Sequence, residues 1–195
     1  YHDLAGHLGV TATAAIISRR FYIPHLKIQV NDYIRRCDIC ARASNPKGHH
    51  GESDAPFRGN HPGQSYTGDV YSPGYACDGF DHLFVIIDDF SSWVRAIPLE
   101  GPGTTEKLLR ILKYEVIRNE SLPSIFKSDK GSNIISAMWQ SYCKCYDIEA
   151  RGGAADHHHS AAVAERFMAT LAQLLRAHRI STFDQNWREY VIDLE

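Results

Sequence analysis

The sequence predicts an α/β (α+β) fold in which a mixed five-stranded sheet with flanking helices follows a small helical unit. Residues 1–44 place apolar side chains at helical spacing. Residues 45–63 are rich in Gly, Pro, Ser, Asn and His, which is typical of a linker. In residues 64–195, three strand-like runs come first, and helical and strand-like runs then alternate. This order is typical of helices packed against a mixed sheet.

The first unit is predicted to contain two short helices, VTATAAIISRRFYI and KIQVNDYIRRC. Their apolar residues recur about once per helical turn and are expected to form the packing faces. These residues are Val10, Ala14, Ile17, Phe21, Ile28, Val30 and Ile34.

The second unit is predicted to open with an antiparallel meander, because Pro73, Gly74 and Gly79 mark a turn between two alternating runs. The strands are SYTGDVYS, HLFVIID and WVRAIPL. An amphipathic helix over residues 104–120 follows, with Leu108, Leu109, Leu112 and Val116 on one face. The remaining elements are a strand in SIFKS, a helix in SAMWQSYCKCY, a strand in DIEAR, and a long helix in SAAVAERFMATLAQLLRAHR.

Composition limits the class of protein. The chain has 195 residues, of which 44% are hydrophobic and 23% charged, so it can bury a core. It contains no apolar run of about 18 residues and no basic-then-apolar leader, so we expect an intracellular, soluble protein. The opening YHDLAGH lacks an initiator Met and YVIDLE ends within a helix-like pattern. We therefore expect a piece excised from a longer polypeptide, with the C-terminal part of the second unit truncated.

Charge alone leaves two interpretations open. The net charge of −2 gives no whole-chain argument for nucleic acid. Residues 1–50, however, hold seven basic side chains against three acidic ones. Such an excess is typical either of a nucleic-acid surface or of an ordinary solvated face.

Two histidines and two cysteines in the first unit have the spacing of a metal site. His2, His7, Cys37 and Cys40 form H-x4-H-x29-C-x2-C, the ligand set of a closed tetrahedral zinc site. A unit of about 40 residues rarely folds on apolar burial alone, whereas structural zinc supplies on the order of 10 kcal/mol. The alternative is a loose terminal histidine and ordinary buried cysteines. Core packing is expected for the other cysteines, which are Cys77, Cys143 and Cys145.

Three carboxylates in the second unit suggest a second metal site. Alternation along the first strand places Thr67, Asp69 and Tyr71 on one face, where an unpaired charge is costly. Asp129 directly follows the strand SIFKS, and Glu165 faces away from the expected buried stripe of the long helix. That stripe is Val163, Phe167, Leu171, Leu174 and His178.

Converging carboxylates require cations, and hard oxygen ligands suit two Mg²⁺ or Mn²⁺ ions, which support in-line phosphoryl displacement. Taken singly, each acid is more typical of a surface charge, and Asp129 before Gly131 of a turn residue.

Four segments resemble the integrases of LTR retrotransposons, nearest the Gypsy type, and of retroviruses. They are GHLGVTATAAIISRRFYIPHLKIQVNDYIRRCDIC, HLFVIIDDFSSWVRAIPL, SDKGSN and AVAERF. The resemblance covers essentially the whole chain and implies an RNase H-like catalytic core after a helical zinc-binding domain. It also implies that Asp69, Asp129 and Glu165 are the catalytic, magnesium-binding triad. Residues 130 to 164, which number 35, match the family's D,D-35-E spacing.

The resemblance also orders the remaining candidates. It implies that Asp88 and Asp89 are structural, and that His157 belongs to a mobile-loop motif that usually continues with Pro-Gln. His158 and His159 stand at those two positions, and Ala162 replaces the usual Gly. Ala169 and Ala172 occupy positions where some relatives carry DNA-contacting lysines. DNA contacts are therefore assigned to other residues, which are Lys127, Lys130, His157, Arg166 and Arg176.

The leading functional hypothesis is a retroelement integrase that processes 3′ ends and transfers DNA strands. Its partners would be double-stranded element ends, target DNA and further copies of itself, and its location the nucleus. A second hypothesis is a decayed or domesticated integrase that acts as a DNA- or protein-binding module. A third is an RNase H-like nuclease that cleaves without joining.

Overall fold

The computed structural model describes residues 1–43, 59–128, 136–152, 157–182 and 186–192, with residues 157–165 and 192 described by their backbone alone. The chain divides into two compact units. The first comprises Tyr1–His49 and Ala169–Trp187, and the second comprises His50–Met168 and Arg188–Glu195. The domain limits expected from the sequence, 1–44, 45–63 and 64–195, remain a prediction.

Three short helices form the N-terminal part of the first unit: α1 (Val10–Ser18), α2 (Leu26–Arg35) and α3 (Asp38–Ala43). The first two match the predicted helices, with α1 ending at Ser18, before Phe21. Residues Ala14 and Val30 are buried, whereas Phe21 and Ile28 are mostly exposed. The predicted packing faces are therefore only partly correct.

The second unit contains a five-stranded mixed sheet, as predicted. Its strands are β1 (Ser65–Tyr71), β2 (His82–Asp88), β3 (Val94–Leu99), β4 (Ile125–Ser128) and β5 (Glu149–Gly152). They lie in the order β3-β2-β1-β4-β5. The first three pair antiparallel as the predicted meander, whereas β4 lies parallel to β1 and β5 parallel to β4.

The sheet is buried on both faces around β2. Residues Leu83 to Ile87 are at most 2% exposed, which explains why this strand is continuously apolar rather than alternating. One face packs into the main core with two helices, whose side chains include Leu108, Leu112 and Trp139. Val85 and Ile87 belong to the other face, which β1 shares through Thr67 and Asp69.

Two helices pack against the main core, α4 (Thr105–Ile111) and α5 (Ala137–Cys145). Side-chain oxygens of Thr104 and Ser136 accept hydrogen bonds from N–H groups in their first turns. The predicted continuous helix over residues 104–120 is instead α-helical to Ile111 and π-helical over Leu112–Ile117. Nδ2 of Asn119 donates to the carbonyl of Tyr114 at 3.0 Å and so satisfies a group at the helix end.

The last two helices are α6 (His157–Thr182) and α7 (Trp187–Ile192). Helix α6 begins three residues before the predicted start at Ser160, and no proline interrupts this part of it. Leu171 of the predicted stripe is buried, but Leu175 and Ala177, which were not predicted, are also buried. Among the described residues, no helix is both long and apolar enough to cross a membrane.

Candidate metal centres

Four side chains converge in the first unit, as their spacing predicted. The ligand atoms of His2, His7, Cys37 and Cys40 all lie within 4.8 Å of one another. Nε2 of His2 lies 3.3 Å from Nδ1 of His7 and 3.3 Å from Sγ of Cys40. Sγ of Cys37 lies 3.4 Å from Nδ1 of His7. The two histidines are buried and the two cysteines are partly buried, so the segment before α1 meets the start of α3 at this site.

These distances fit a tetrahedral zinc ion. Zinc–nitrogen bonds of about 2.05 Å and zinc–sulfur bonds of about 2.3 Å require roughly 3.3 Å between nitrogens and roughly 3.6 Å between nitrogen and sulfur. Nδ1 of His2 donates a hydrogen bond to the carbonyl of Leu8 at 3.0 Å. This bond leaves the lone pair of Nε2 free to bind a metal. A hydrogen bond from the other ring nitrogen is the usual outer support of a histidine ligand. The four residues form an HHCC zinc site.

The protonation states also fit a cation. Burial, with help from the neighbouring His2, lowers the pKa of His7, which favours the neutral imidazole that binds metal. Burial and a hydrogen bond with Cys37 raise the pKa of the Cys40 thiol to about 12. A divalent cation supplies the positive charge that lets such partly buried thiols ionise.

The other cysteines lie elsewhere. Cys77 and Cys143 are buried, as expected, and Cys143 belongs to the main core. Cys145 is exposed, so the expectation of core packing was wrong for this residue. The reason is helical geometry, since residues two apart on a helix point in different directions.

Asp69 lies in β1, in the interior of the sheet, and is partly buried. It pairs with Val85 of β2, and its Oδ1 accepts a hydrogen bond from the N–H of Val70 at 2.7 Å. Gly68 precedes it because a side chain there has no room. A Cβ atom on Gly68 would lie 2.5 Å from Cζ of Phe126.

The other two predicted carboxylates are described less fully. Asp129 and Lys130 lie outside the described residues. Glu165 and His157 lie on α6, where the backbone alone is described. What the structure does describe is the strand that leads to Asp129: Ser128 is the last residue of β4 and pairs in parallel with Gly68.

Asp88 is held within the fold. It is 2% exposed, and its Oδ1 accepts a hydrogen bond from the N–H of Gly63 at 3.2 Å. Its Oδ2 accepts from the N–H and the hydroxyl of Ser91. These bonds order the turn after β2, in agreement with the structural role expected for this acid.

Asp89 and Lys127 form a buried ion pair that sequence reasoning did not predict. Nζ of Lys127 lies 3.2 Å from Oδ2 of Asp89. The hydroxyl of Ser65 donates to Oδ2 at 2.6 Å, and that of Thr67 donates to Oδ1 at 2.7 Å. A signal was present in the sequence, because a lysine inside the apolar strand SIFKS needs a buried acid.

The described DNA-contact candidates differ in placement. Lys127 is 3% exposed and forms an ion pair with Asp89. Its ammonium group therefore lies in the interior and is not available to contact DNA. Nε of Arg176 donates to the carbonyl of Ala43 at 3.1 Å, within the first unit. Arg166 is exposed.

The HHCC site and the sheet order together define a class of protein, one with a helical zinc domain followed by an RNase H-like core. The family described as "Integrase core domain" matches residues 59–158, and that described as "Integrase zinc binding domain" matches residues 1–46. The chain belongs to the integrase core domain family. The prediction of an integrase with a zinc-binding domain and a core is confirmed, and the Gypsy type remains a prediction.

Curated relatives are retroviral polyproteins. The Gag-Pol polyprotein of avian reticuloendotheliosis virus is 27% identical over 180 residues, which cover 91% of this chain and 16% of the relative. The Gag-Pol polyprotein of koala retrovirus is 26% identical over 187 residues, 95% of this chain and 11% of the relative. The chain thus spans less than a fifth of the length of either polyprotein.

Solved structures show the same fold. The simian T-cell lymphotropic virus intasome in complex with PP2A regulatory subunit B56 gamma gives a TM-score of 0.66 at 18% identity, over 98% of this chain and 62% of that chain. The HTLV-2 integrase catalytic core domain in complex with magnesium, in its dimeric form, gives 0.53 at 21% identity, over 69% and 85%.

Proposed function

We propose that this protein is a retroelement integrase, nearest the Gypsy type, that catalyses metal-dependent 3′-end processing and DNA strand transfer. One observation carries the proposal. Gly68 and Ser128 are parallel partners on β1 and β4, and the residue that follows each of them in the sequence is a proposed ligand, Asp69 or Asp129. This register supports a site in which the two carboxylates lie near each other.

The register supports convergence of the two acids. Adjacent strands lie about 4.8 Å apart, and side chains two residues apart share a face. Thr67 and Asp69 share one face of β1, and Thr67 is the partner of Lys127 on β4. Asp129 is two residues after Lys127 in the sequence, and we infer that it lies beside Asp69. Main-core packing uses the opposite face, through Tyr66 and Phe126.

Glu165 is proposed as the third ligand, supplied by α6. The 35 residues between it and Asp129 hold α5 and β5, and β5 pairs in parallel with β4. Since β4 and β5 are parallel, their carboxyl ends lie at the same edge of the sheet, and α6 begins five residues after β5 ends.

Hard oxygen ligands of this kind suit Mg²⁺ or Mn²⁺, and the HTLV-2 core was solved in complex with magnesium. When bound, two such ions supply the charge that activates an attacking oxygen and stabilises a leaving oxygen. Asp69, Asp129 and Glu165 would hold the ions. Water attacks a phosphodiester near a DNA 3′ end, which frees a 3′ hydroxyl and releases the terminal nucleotides with a 5′ phosphate. The new 3′ hydroxyl then attacks a phosphodiester of the target, and the 3′ oxygen of the target strand leaves as a hydroxyl. One phosphodiester is broken for each one formed, so no covalent protein intermediate is needed.

The proposed partners are element-end and target DNA and further copies of this chain. The proposed location is the nucleus, which we infer from the reaction. The intasome and the dimeric HTLV-2 core are relatives in fold that favour an assembly. Arg166, Lys130, Arg176 and His157 are the remaining candidates for phosphate contacts, which position DNA without reading its sequence.

One observation favours a second function, that of an integrase-derived binding module. Helix α6 already includes His157, His158 and His159, where the family's mobile-loop motif is expected. A helix at this point restrains the backbone more than a loop does. Such a protein would retain the zinc domain and the fold but would not cut DNA.

The test is metal-dependent cleavage and joining on a branched DNA that mimics the insertion product. Wild type is compared with Asp69→Asn, Asp129→Asn and Glu165→Gln, and Asp147→Asn serves as the control because this acid is exposed in the turn after α5. Joined product should fall by at least about a hundredfold in each of the three variants and remain in the control.

Other results of this test would select another function. Cleavage without joining would indicate a nuclease. No reaction by the folded, zinc-loaded chain would favour the binding module. Joined product that persists in Asp69→Asn would reject the assigned trio.

A further inference from the structure

The buried pair of Asp89 and Lys127 has no part in the chemistry proposed above. Each residue is 3% exposed, and their charged atoms are 3.2 Å apart. Lys127 lies on β4. Asp89 directly follows Asp88, the last residue of β2. Buried charges are costly to desolvate, so a pair at this depth calls for an explanation beyond surface solubility.

Asp89 is bonded to the start of β1 by side chain and backbone alike. Its carboxylate accepts from the hydroxyls of Ser65 and Thr67, and its N–H donates to the carbonyl of Ser65 at 3.0 Å. Its carboxylate also pairs with Lys127 of the neighbouring strand. One acid thus joins β1 to β4 across a parallel pair.

The connection falls at one register position. Thr67 and Lys127 are direct partners in the β1–β4 pairing, and both are tied to the same carboxylate. Asp69 is two residues beyond Thr67, and Asp129 is two residues beyond Lys127. Since side chains two residues apart share a face of a strand, Thr67 lies on the same face of β1 as Asp69, one step before it.

Stability alone does not account for this arrangement. Apolar side chains of similar volume often replace a buried ion pair without loss of stability. A shift of one residue between β1 and β4, in contrast, would turn one carboxylate to the opposite face of the sheet. The bonds that Asp89 makes with Thr67 and with Lys127 oppose such a shift, because the slipped register would leave the charges of Asp89 and Lys127 buried and unpaired.

We propose that Asp89 and Lys127 are positioning residues that hold β1 and β4 in the register required by the divalent-metal site, and so set its affinity for metal. The inference rests on the proposed function, because it assigns the pair a role toward the carboxylates named there. Neither residue contacts DNA or metal in this role.

The test replaces both charges with apolar side chains in one variant, Asp89→Leu with Lys127→Met. The matched control is Arg95→Met with Glu115→Leu, which removes the more exposed ion pair between β3 and the segment after α4, at 3.6 Å. Metal binding is measured without DNA, on the zinc-loaded full chain, by Mn²⁺ broadening of the amide NMR signals of Val70 and Ser128. Asp69→Asn defines the broadening that does not depend on the site.

The expected result is that the Asp89 and Lys127 variant folds and binds zinc, yet needs at least fivefold more Mn²⁺ for half-broadening at Val70. The control variant should titrate like wild type. A folded variant that titrates like wild type would overturn the inference and leave the proposed function standing. Equal broadening in wild type and Asp69→Asn would overturn both, because no metal would then be bound at Asp69.

A second variant covers the case in which the double substitution prevents folding. Thr67→Val keeps the shape of the side chain and removes its 2.7 Å hydrogen bond to Asp89. It should raise the Mn²⁺ concentration for half-broadening at least twofold, and Thr67→Ser, which retains the hydroxyl, should restore the wild-type value. An unchanged titration in Thr67→Val would overturn the inference.

Discussion

The first 43 residues and the sheet are stabilised in different ways. Within residues 1–43 the buried apolar side chains are Ala14, Val30 and Ala43, while Phe21, Tyr22 and Ile28 are 50%, 93% and 62% exposed. In the sheet, a single strand, β2, has five consecutive buried apolar residues, Leu83 to Ile87. Fully burying a side chain such as Leu or Phe contributes about 1.5–3 kcal/mol, whereas a structural zinc ion contributes on the order of 10 kcal/mol.

The difference shows what the ligands of the HHCC site do for the fold. His2 and His7 are buried although they are polar. As zinc ligands they stabilise the N-terminal region in the way that buried apolar side chains stabilise the sheet. The N-terminal region is thus organised around one metal site. The sheet is organised around many apolar contacts. Its buried charged residues are Asp88, Asp89 and Lys127.

The largest expected effect comes from removal of zinc. Chelation, or Cys40→Ser, should unfold residues 1–43 because the apolar burial there is small, while the sheet remains folded. NMR amide dispersion should collapse for α1 and α2 and persist for Phe84 and Ile86, with zinc content measured in parallel. The exposed Cys145→Ser variant is the control. A dispersed N-terminal spectrum in zinc-free protein would contradict the comparison.

A smaller effect, confined to the sheet, is expected from Lys127→Met. It leaves the carboxylate of Asp89 buried without its cation, which costs about 3–5 kcal/mol. Urea unfolding followed by the fluorescence of Trp139, buried in the main core, measures this loss. The addition of Asp89→Leu should recover most of the stability, and zinc content should not change. No recovery would mean that the strands need the charge pair for stability itself.

The smallest effect is expected from Gly68→Ala. The new methyl group would lie 2.5 Å from Cζ of Phe126 and 3.3 Å from Cε2 of Phe84, so the rings must move. Overpacking of this kind costs about 1–3 kcal/mol. Phe126→Leu in the same chain should relieve part of it, and thermal unfolding measures both variants. An unchanged midpoint in Gly68→Ala would show that the aromatic rings adapt freely.

Local sequence predicted the elements and the zinc site well. The alternating runs predicted the meander, and the spacing of His2, His7, Cys37 and Cys40 predicted a cluster that the structure shows. Helix details were less predictable. The change to a π-helix at Leu112 and the start of α6 at His157 depend on which hydrogen bonds the backbone completes, and periodicity does not encode this choice.

The roles of charged residues were the least predictable from sequence. Lys127 was among the basic residues assigned to DNA because Ala169 and Ala172 stand where some relatives carry lysines, yet it lies in the interior. Its partner, Asp89, is 38 positions away in the sequence and reaches it through the pairing of β1 with β4. Parallel pairing joins distant segments through long connections, so no local pattern reveals it.

The sequence by itself determined the zinc ligands, the order of strands and helices along the chain, and the membership of the integrase core domain family. These properties follow from residue type and spacing, which act over a few residues or a few turns. The tertiary structure decided that β4 lies beside β1 in the register of Thr67 with Lys127, and that Asp89 and Lys127 meet in the interior. The physical reason is that burial and strand pairing depend on all neighbours at once, and those neighbours come from remote parts of the chain.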